Sequence, residues 1–254
     1  MNVHKRTGYT AVLVVSDNEA IVTKFIELIQ SGILSAHNRS FSFACHVNNK
    51  AMRDRSIKGY PIKPINIQEE TQNIIKNYDL VISAHCKQIF PEALVRSLRC
   101  INIHPGYNPF NRGWYPQVFS ILNDKPLGAT IHEIDSELDH GEIIARQMIK
   151  LRQSDTSLSA YERVQELELE LMTKTLPKIL AGNYETFPPE EEGNINLKQD
   201  FEALREINLS EQVTYKQAID KLRALTHPPY KNAYFINDKG KRIWVSIQLD
   251  EEDR

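Results

Sequence analysis

Between residues 101 and 117 the chain reads INIHPGYNPFNRGWYPQ. Two side chains in this stretch, Asn102 and His104, are of types that can stabilise a developing negative charge and move a proton. They stand two apart at the end of the apolar run RCINIH, so in a strand they share one face while Ile101 and Ile103 point to the other. The Pro105-Gly106 turn that follows puts the pair at a strand's carboxyl end, where ligands bind in open α/β sheets. Farther along, ATIHEIDSELDHGEII runs a strand into an acidic loop, with Asp139 two residues before Gly141. A carboxylate beside an imidazole holds its tautomer and favours its protonated form, making it a general acid, a general base or a cationic stabiliser. Asp135, Glu137 and Glu142 compete for that place, and spacing does not choose among the four.

The elements that must position these groups are legible as alternating strands and helices. TAVLVV (10–15) is a β-branched run suited to a strand buried on both faces, and the segment after it carries Ile21, Phe25, Leu28 and Ile29 at helical spacing up to Gly32. The alternation continues with FSFACHV (41–47), TQNIIKNY (71–78), DLVISA (79–84), PEALVRSL (91–98) and RCINIH (99–104). It predicts an α/β fold, a mostly parallel sheet with flanking helices. Beyond it lie a helix at 116–124, a strand at 127–134 and a long helix over 155–182, capped by Asp155 or Thr156 and ended by Gly182. Two prolines and a charge run in FPPEEEGNIN break the pattern, so a domain of residues 1–188 is expected to precede a small α+β region at 189–254. That region reads as a helix, TYKQAIDKLRAL, and a hairpin turning at residues 237–240.

Composition narrows the function. A chain of 254 residues with 41% hydrophobic content can bury a sizeable core, and 31 Lys+Arg against 33 Asp+Glu leaves no basic surplus for a nucleic-acid backbone. Cys45, Cys86 and Cys100 lack a CxxC spacing and read as reduced thiols of a cytoplasmic protein. The basic N-terminal start precedes an apolar run too short for a signal or membrane segment, and the terminal DEEDR reads as a solvated tail. His104, His132 and His140 form no metal-ligand spacing, and no metal is expected.

The order Asn102-Ile103-His104-Pro105, a loop, a strand and Asp139-His140-Gly141 resembles the catalytic triad of the folate-dependent formyltransferases, and the resemblance extends from about residue 10 to 182. It implies the Rossmann-like formyltransferase fold and direct transfer of a formyl group from N10-formyltetrahydrofolate to an amine. Asn102 would hydrogen-bond the formyl oxygen. His104, kept basic by Asp139, would stabilise the charge or take the amine's proton. SAHCKQIFP (83–91) falls where members line the pterin pocket, so Cys86, Gln88, Ile89, Phe90, Gly106, Asp135 and Leu138 are expected on the cofactor side.

The segment NPFNRGWYPQ resembles the sugar N-formyltransferases that act on dTDP-linked amino-dideoxyhexoses, more than the transfer-RNA or ribonucleotide enzymes. Asn108, Asn111 and Arg112 offer donors to hydroxyls or phosphates, Trp114 and Tyr115 offer flat faces to a sugar ring, Tyr230 is a candidate for base stacking, Lys87 could reach a pyrophosphate, and Tyr107 and His85 are further expected substrate contacts. The resemblance implies a dTDP-4-amino-4,6-dideoxyhexose acceptor, glucose-configured ahead of galactose-configured and of the 3-amino isomers, a role in O-antigen or other surface polysaccharide synthesis, and a homodimer. Two alternatives stand: formylation of methionyl-tRNA or a ribonucleotide, and a non-catalytic nucleotide-binding module.

Overall fold

The apolar runs become strands hidden on both sides. The computed structural model describes residues 8–34 and 38–252; the basic start at 1–7 and the last two residues of the charged tail lie outside them. The chain opens with β1 (Ala11–Ser16), α1 (Glu19–Gln30), β2 (Ser40–His46), β3 (Ser56–Ile57), β4 (Tyr60–Ile65), α2 (Thr71–Asn77), β5 (Leu80–Ala84), α3 (Glu92–Ser97) and β6 (Arg99–His104). It continues with β7 (Arg112–Gly113), α4 (Pro116–Asn123), β8 (Leu127–Glu133), β9 (Ile143–Ile149) and α5 (Ser157–Leu180). The last elements are β10 (Ile195–Asn196), α6 (Lys198–Leu204), α7 (Tyr215–Leu225), β11 (Ala233–Ile236) and β12 (Arg242–Val245).

Eight strands form one sheet in the order β3-β4-β2-β1-β5-β6-β8-β9. The central pairings β4·β2, β2·β1, β1·β5 and β5·β6 are parallel, and β6·β8 is antiparallel. One face carries Leu13, Val15, Ala44, Val81 and Cys100, which pack with Ile74 of α2 and Leu94 of α3. On the other, Phe25 of α1 meets Phe43 edge-on with ring centroids 6.5 Å apart. Burying each such large side chain stabilises the fold by about 1.5–3 kcal/mol. β1, β5 and β6 are neighbours running in one direction, so their carboxyl ends adjoin.

Local chemistry sets the helix ends. Asn18 caps α1 by accepting from the Ala20 and Ile21 amides, at 2.9 and 3.3 Å. Thr156 caps α5 through the Ser159 amide, whereas Asp155 takes the Arg163 guanidinium at 2.6 Å, which settles the alternative left by the sequence. Gly182 ends that helix with a left-handed φ of 66°. The expected hairpin is present as β11 paired with β12. β4 escaped the sequence pattern because Pro61 and Pro64 break its alternation, and its outer neighbour β3 is only a two-residue strand.

The described chain divides into two compact units. One runs through His104 and takes Ala129–Gln147 and Leu167–Glu190; the other takes Pro105–Gly128, Met148–Glu166 and everything described from Glu191 on. The last switch between them falls between Glu190 and Glu191. Periodicity identifies elements but not the cluster in which each is buried. Here Val118, Phe119 and Ile121 of α4 share a core with Ala224 and Leu225 of α7, within the second unit.

Candidate active site

In the first unit the antiparallel β6·β8 register sets Asn102 directly opposite His132 and His104 opposite Thr130. Opposed residues share a face, so Asn102 and His132 project together. Asp139 reaches them from the loop after β8, with a left-handed φ of 49°. Asn102 Nδ2 donates to Asp139 Oδ1 at 2.9 Å, and His132 Nε2 lies 3.3 Å from the same nitrogen. His132 Nδ1 contacts the Glu133 carbonyl at 2.7 Å, an oxygen that can only accept. The ring therefore carries its proton on Nδ1 and presents Nε2 as an acceptor.

Gly141 fixes the turn. A Cβ there would stand 1.9 Å from the Glu133 carbonyl oxygen, so only glycine lets the Asp139-His140-Gly141 turn fold back against the end of β8. Asp135 is occupied by His140, whose Nδ1 is 2.7 Å from its Oδ2, and this leaves Asp139 as the carboxylate at the cluster.

His104 is 5% exposed, with Nδ1 3.5 Å from Asp139 Oδ2. Its Nε2 is buried with no hydrogen-bond partner among the described residues. Burial pulls its pKa down to about 4; Asp139 raises it only in part, and His132 and His85 lower it further. The sequence expected Asp139 to keep this histidine basic. Desolvation wins because the carboxylate sits too far off for a short charge-assisted bond. The ring is neutral near pH 7, with an acceptor nitrogen open to a ligand.

The segment after β5 stands beside this cluster in the sheet. His85 begins it with a left-handed φ of 53°, but its ring is not available as a substrate contact: Nε2 lies 3.0 and 2.8 Å from the two carboxylate oxygens of Glu168, and Nδ1 lies 3.4 Å from Asn18 Nδ2. The Lys87 side chain is exposed, and its backbone N–H donates to Asp17 at 3.4 Å. Gln88 accepts from the Ile67 amide at 2.9 Å, while its Nε2 is buried without a described partner. Cys86 and Phe90 pack against the apolar cluster of this unit, and Ile89 and Leu138 are exposed, at 86% and 42%. Burial pushes the Cys86 and Cys100 thiols up to about 12 and Cys45 up to about 11, so none is a thiolate near neutral pH.

In the second unit Gly106, Asn108 and Arg112 are buried, and Tyr107 and Trp114 are half-buried. Asn111 is not a free donor, contrary to its expected role. It is 0% exposed; its Nδ2 donates to Ser120 and Asn123, and its Oδ1 accepts from Asn123, Asn194 and Asn196 at 2.8, 2.8 and 3.1 Å. That hub ties the 107–115 loop to the segment carrying β10. Gly193, with φ 71°, lies so close that a Cβ would meet the Pro109 carbonyl at 2.0 Å. Arg112 is 7% exposed and its Nε has no described partner. Trp114 meets Tyr115 at a tilt with ring centroids 5.6 Å apart, and Tyr115 packs against Phe201 with centroids 4.3 Å apart. Tyr230 is 69% exposed, 5.8 Å from the His227 ring.

Sequence reasoning missed His132 and Glu168. His132 sits in an alternating strand, and its role follows only from register. Glu168 lies in a charged helical stretch where nothing marks it as buried. Among the described residues no group of three or more His, Cys, Asp or Glu could hold a metal ion.

A parallel α/β sheet that ends in a paired Asn–Asp and a neutral buried imidazole is suited to polarising a carbonyl and accepting a proton, the needs of acyl-group transfer to an amine. The chain belongs to the formyl transferase family: residues 48–176 match the model described as "Formyl transferase", and residues 200–251 match "N-formyltransferase dimerization C-terminal domain". It is 46% identical over 187 residues to a dTDP-4-amino-4,6-dideoxyglucose formyltransferase of Mycobacterium tuberculosis, covering 74% of this chain and 80% of that protein. A methionyl-tRNA formyltransferase of Ligilactobacillus salivarius is 33% identical over 201 residues, covering 76% of this chain and 61% of that protein. The crystal structure of a 4-N formyltransferase from Francisella tularensis superposes with a TM-score of 0.90 at 42% identity, covering 96% of this chain and 99% of the other.

Proposed function

We propose that the protein transfers the formyl group of N10-formyltetrahydrofolate to the amino group of dTDP-4-amino-4,6-dideoxyglucose, as a cytoplasmic step in O-antigen or other surface polysaccharide synthesis. The acceptor is carried by the relative of that name, matched at 46% identity over 80% of its length. The chemistry is carried by the buried, unpartnered Nε2 of His104.

The formyl donor supplies an activated carbonyl carbon. Asn102 is the donor to its oxygen: the 2.9 Å bond to Asp139 holds the amide, and the longer 3.3 Å contact to His132 yields when the oxygen arrives. His104 is the base. With Nδ1 toward Asp139 and Nε2 open, the neutral ring accepts the amine's proton as the new C–N bond forms, the resulting imidazolium faces the carboxylate, and the proton is given back to N10 as the formyl carbon–N10 bond breaks and tetrahydrofolate leaves. The residues of the 86–90 segment fit a pterin: Gln88 Nε2 is a buried donor lacking a partner, and Ile89 and Leu138 offer apolar cover for a flat ring. Asp135 belongs to the same unit, where it holds His140. Within the second unit, Arg112, a buried guanidinium, suits the diphosphate, with Asn108, Tyr107, Trp114 and Tyr230 as the residues offered to the sugar nucleotide.

Two copies associate through residues 200–251, as the matched description supports. Leu209, Val213 and Tyr215 are exposed there, at 67%, 48% and 90%, more apolar surface than a solvated face needs.

Mass spectrometry of the purified protein with N10-formyltetrahydrofolate and a panel of dTDP-linked 3-amino and 4-amino dideoxyhexoses tests the reading, with methionyl-tRNA as a control. A mass gain of CO on the 4-amino glucose-configured sugar is expected. A gain on the transfer RNA alone overturns the acceptor and leaves the chemistry. No gain on any substrate shifts the weight to a binding module.

A further inference from the structure

We infer that Glu168 is a positioning residue for the site and acts through His85, with which it forms a buried pair that fixes the 85–90 segment. This rests on the reading of His104 given above.

Glu168 lies on α5 with no exposed surface, so it cannot touch a substrate directly. A carboxylate so placed has lost its hydration and needs a cation or several donors in return. It has His85, whose Nε2 is within 3.0 Å of both oxygens. Replacing a buried ion pair by well-packed apolar groups is often neutral or stabilising, so stability is a weak reason to have one here.

The pair's location supplies the better reason. His85 is the first residue after β5 and holds a left-handed φ of 53°, a conformation that is costly for a residue other than glycine and persists where surrounding contacts impose it. Its contacts include Glu168 from α5, at one ring nitrogen, and Asn18 from the β1–α1 junction, at the other. The segment that His85 starts is pinned further along by Asp17 to the Lys87 amide and by Gln88 to Ile67. Loosening the Glu168 end frees the segment where it leaves the sheet.

Charge gives the second effect. Burial acts to lower the His85 pKa, but Glu168, by charge and by hydrogen bond, raises it overall; Lys87 opposes. The groups facing His104 are Asp139, His132 and His85, and a positive His85 counts among the influences that keep His104 unprotonated. The main cause of the neutral His104 is its own burial, and His85 adds to it in the same direction.

The test uses the full-length protein with imidazole NMR signals of His85 and His104 assigned by single substitution. In the wild type the His85 ring is expected to hold its proton to higher pH than an ordinary histidine, and in Glu168→Gln to release it at lower pH, while His104 takes up a proton more readily. Glu168→Gln, folded by its melting transition, is expected to lose about tenfold or more in kcat, the scale of a small misplacement of reacting groups. Glu168→Asp, which keeps the charge, is expected to recover most of it. An unchanged kcat in folded Glu168→Gln, or a His85 ring that titrates as an ordinary histidine in the wild type, overturns the inference. If Glu168→Gln does not fold, the double variant His85→Asn/Glu168→Gln decides, because Asn tolerates the left-handed backbone and two amides can pair without charge. Reduced kcat in that folded variant supports the inference, and wild-type kcat overturns it. Should the wild type transfer no formyl group at all, the proposed function fails by itself, and the His85 titration still decides whether the charged pair exists.

Discussion

His85 and His104 follow or end neighbouring parallel strands, β5 and β6, and both rings are nearly hidden, with side-chain exposures of 10% and 6%. Burial pushes both toward the neutral form. His85 nevertheless ends with a raised pKa and His104 with one near 4. The difference is partner distance. The Glu168 oxygens lie 2.8 and 3.0 Å from His85 Nε2, whereas the nearer Asp139 oxygen lies 3.5 Å from His104 Nδ1 because Asp139 is already held by Asn102. One carboxylate raises the pKa of its histidine and so favours the charged form. The other, shared with an amide, leaves its histidine neutral with a nitrogen free to accept a proton. Burial alone does not decide a histidine's state; the bond the carboxylate has already made does.

The comparison is tested most strongly at His104 itself. Replacing His104 or Asn102 with Ala is expected to lower kcat by at least about two orders of magnitude, the scale for a general base or an oxyanion donor, with KM for the nucleotide sugar much less changed. Steady-state kinetics check this, and near-normal turnover in either variant would sink the assigned roles.

A smaller effect is expected from Gly141→Ala. The new Cβ collides with backbone rather than with a flexible side chain, so the turn carrying Asp139 must shift. A loss of about 1–3 kcal/mol in urea unfolding is expected, the usual range for forcing an extra group into a packed site. The imidazole signals should show the change at His104 and not at His85; a shift of equal size at both would mean that the two environments are not separate.

The smallest effects are slopes in stability against pH, and the two histidines give opposite signs. His104 has a folded pKa below the ordinary value of about 6.5, so the unfolded chain takes up its proton first as pH falls. Its contribution is present above about pH 6.5 and is lost as pH falls toward about 4. His85, raised in the fold, contributes fully below about pH 6.5 and loses that contribution as pH rises through its folded value. Urea midpoints measured across pH should therefore flatten on the acid side in His104→Gln and on the alkaline side in His85→Asn/Glu168→Gln. The same flattening in both variants would break the contrast.

Much of the molecule was legible in the sequence because the information is local. Buried parallel strands are continuous apolar runs, helices repeat near 3.6 residues, and Asn102 and His104 share a face by strand geometry alone. β4 was not legible, since its prolines mask a strand that tertiary pairing still accepts. Asn111 was misread as a substrate donor for a related reason. Its type and loop position fit a ligand contact, while its actual partners, Asn194 and Asn196, come more than eighty residues later.

The sequence by itself determined the parallel sheet, the placement of Asn102 and His104 at a strand end, and a family resemblance that the comparisons support. Only the tertiary structure chose Asp139 over Asp135, brought in His132 through the β6·β8 register, hid Glu168 against His85 and set the two histidines' opposite charge preferences. The physical reason is that propensity and spacing act over a few residues. Hydrogen-bond partners and desolvation depend on which distant segments the fold brings within about 3 Å, and those segments are fixed only when the chain packs.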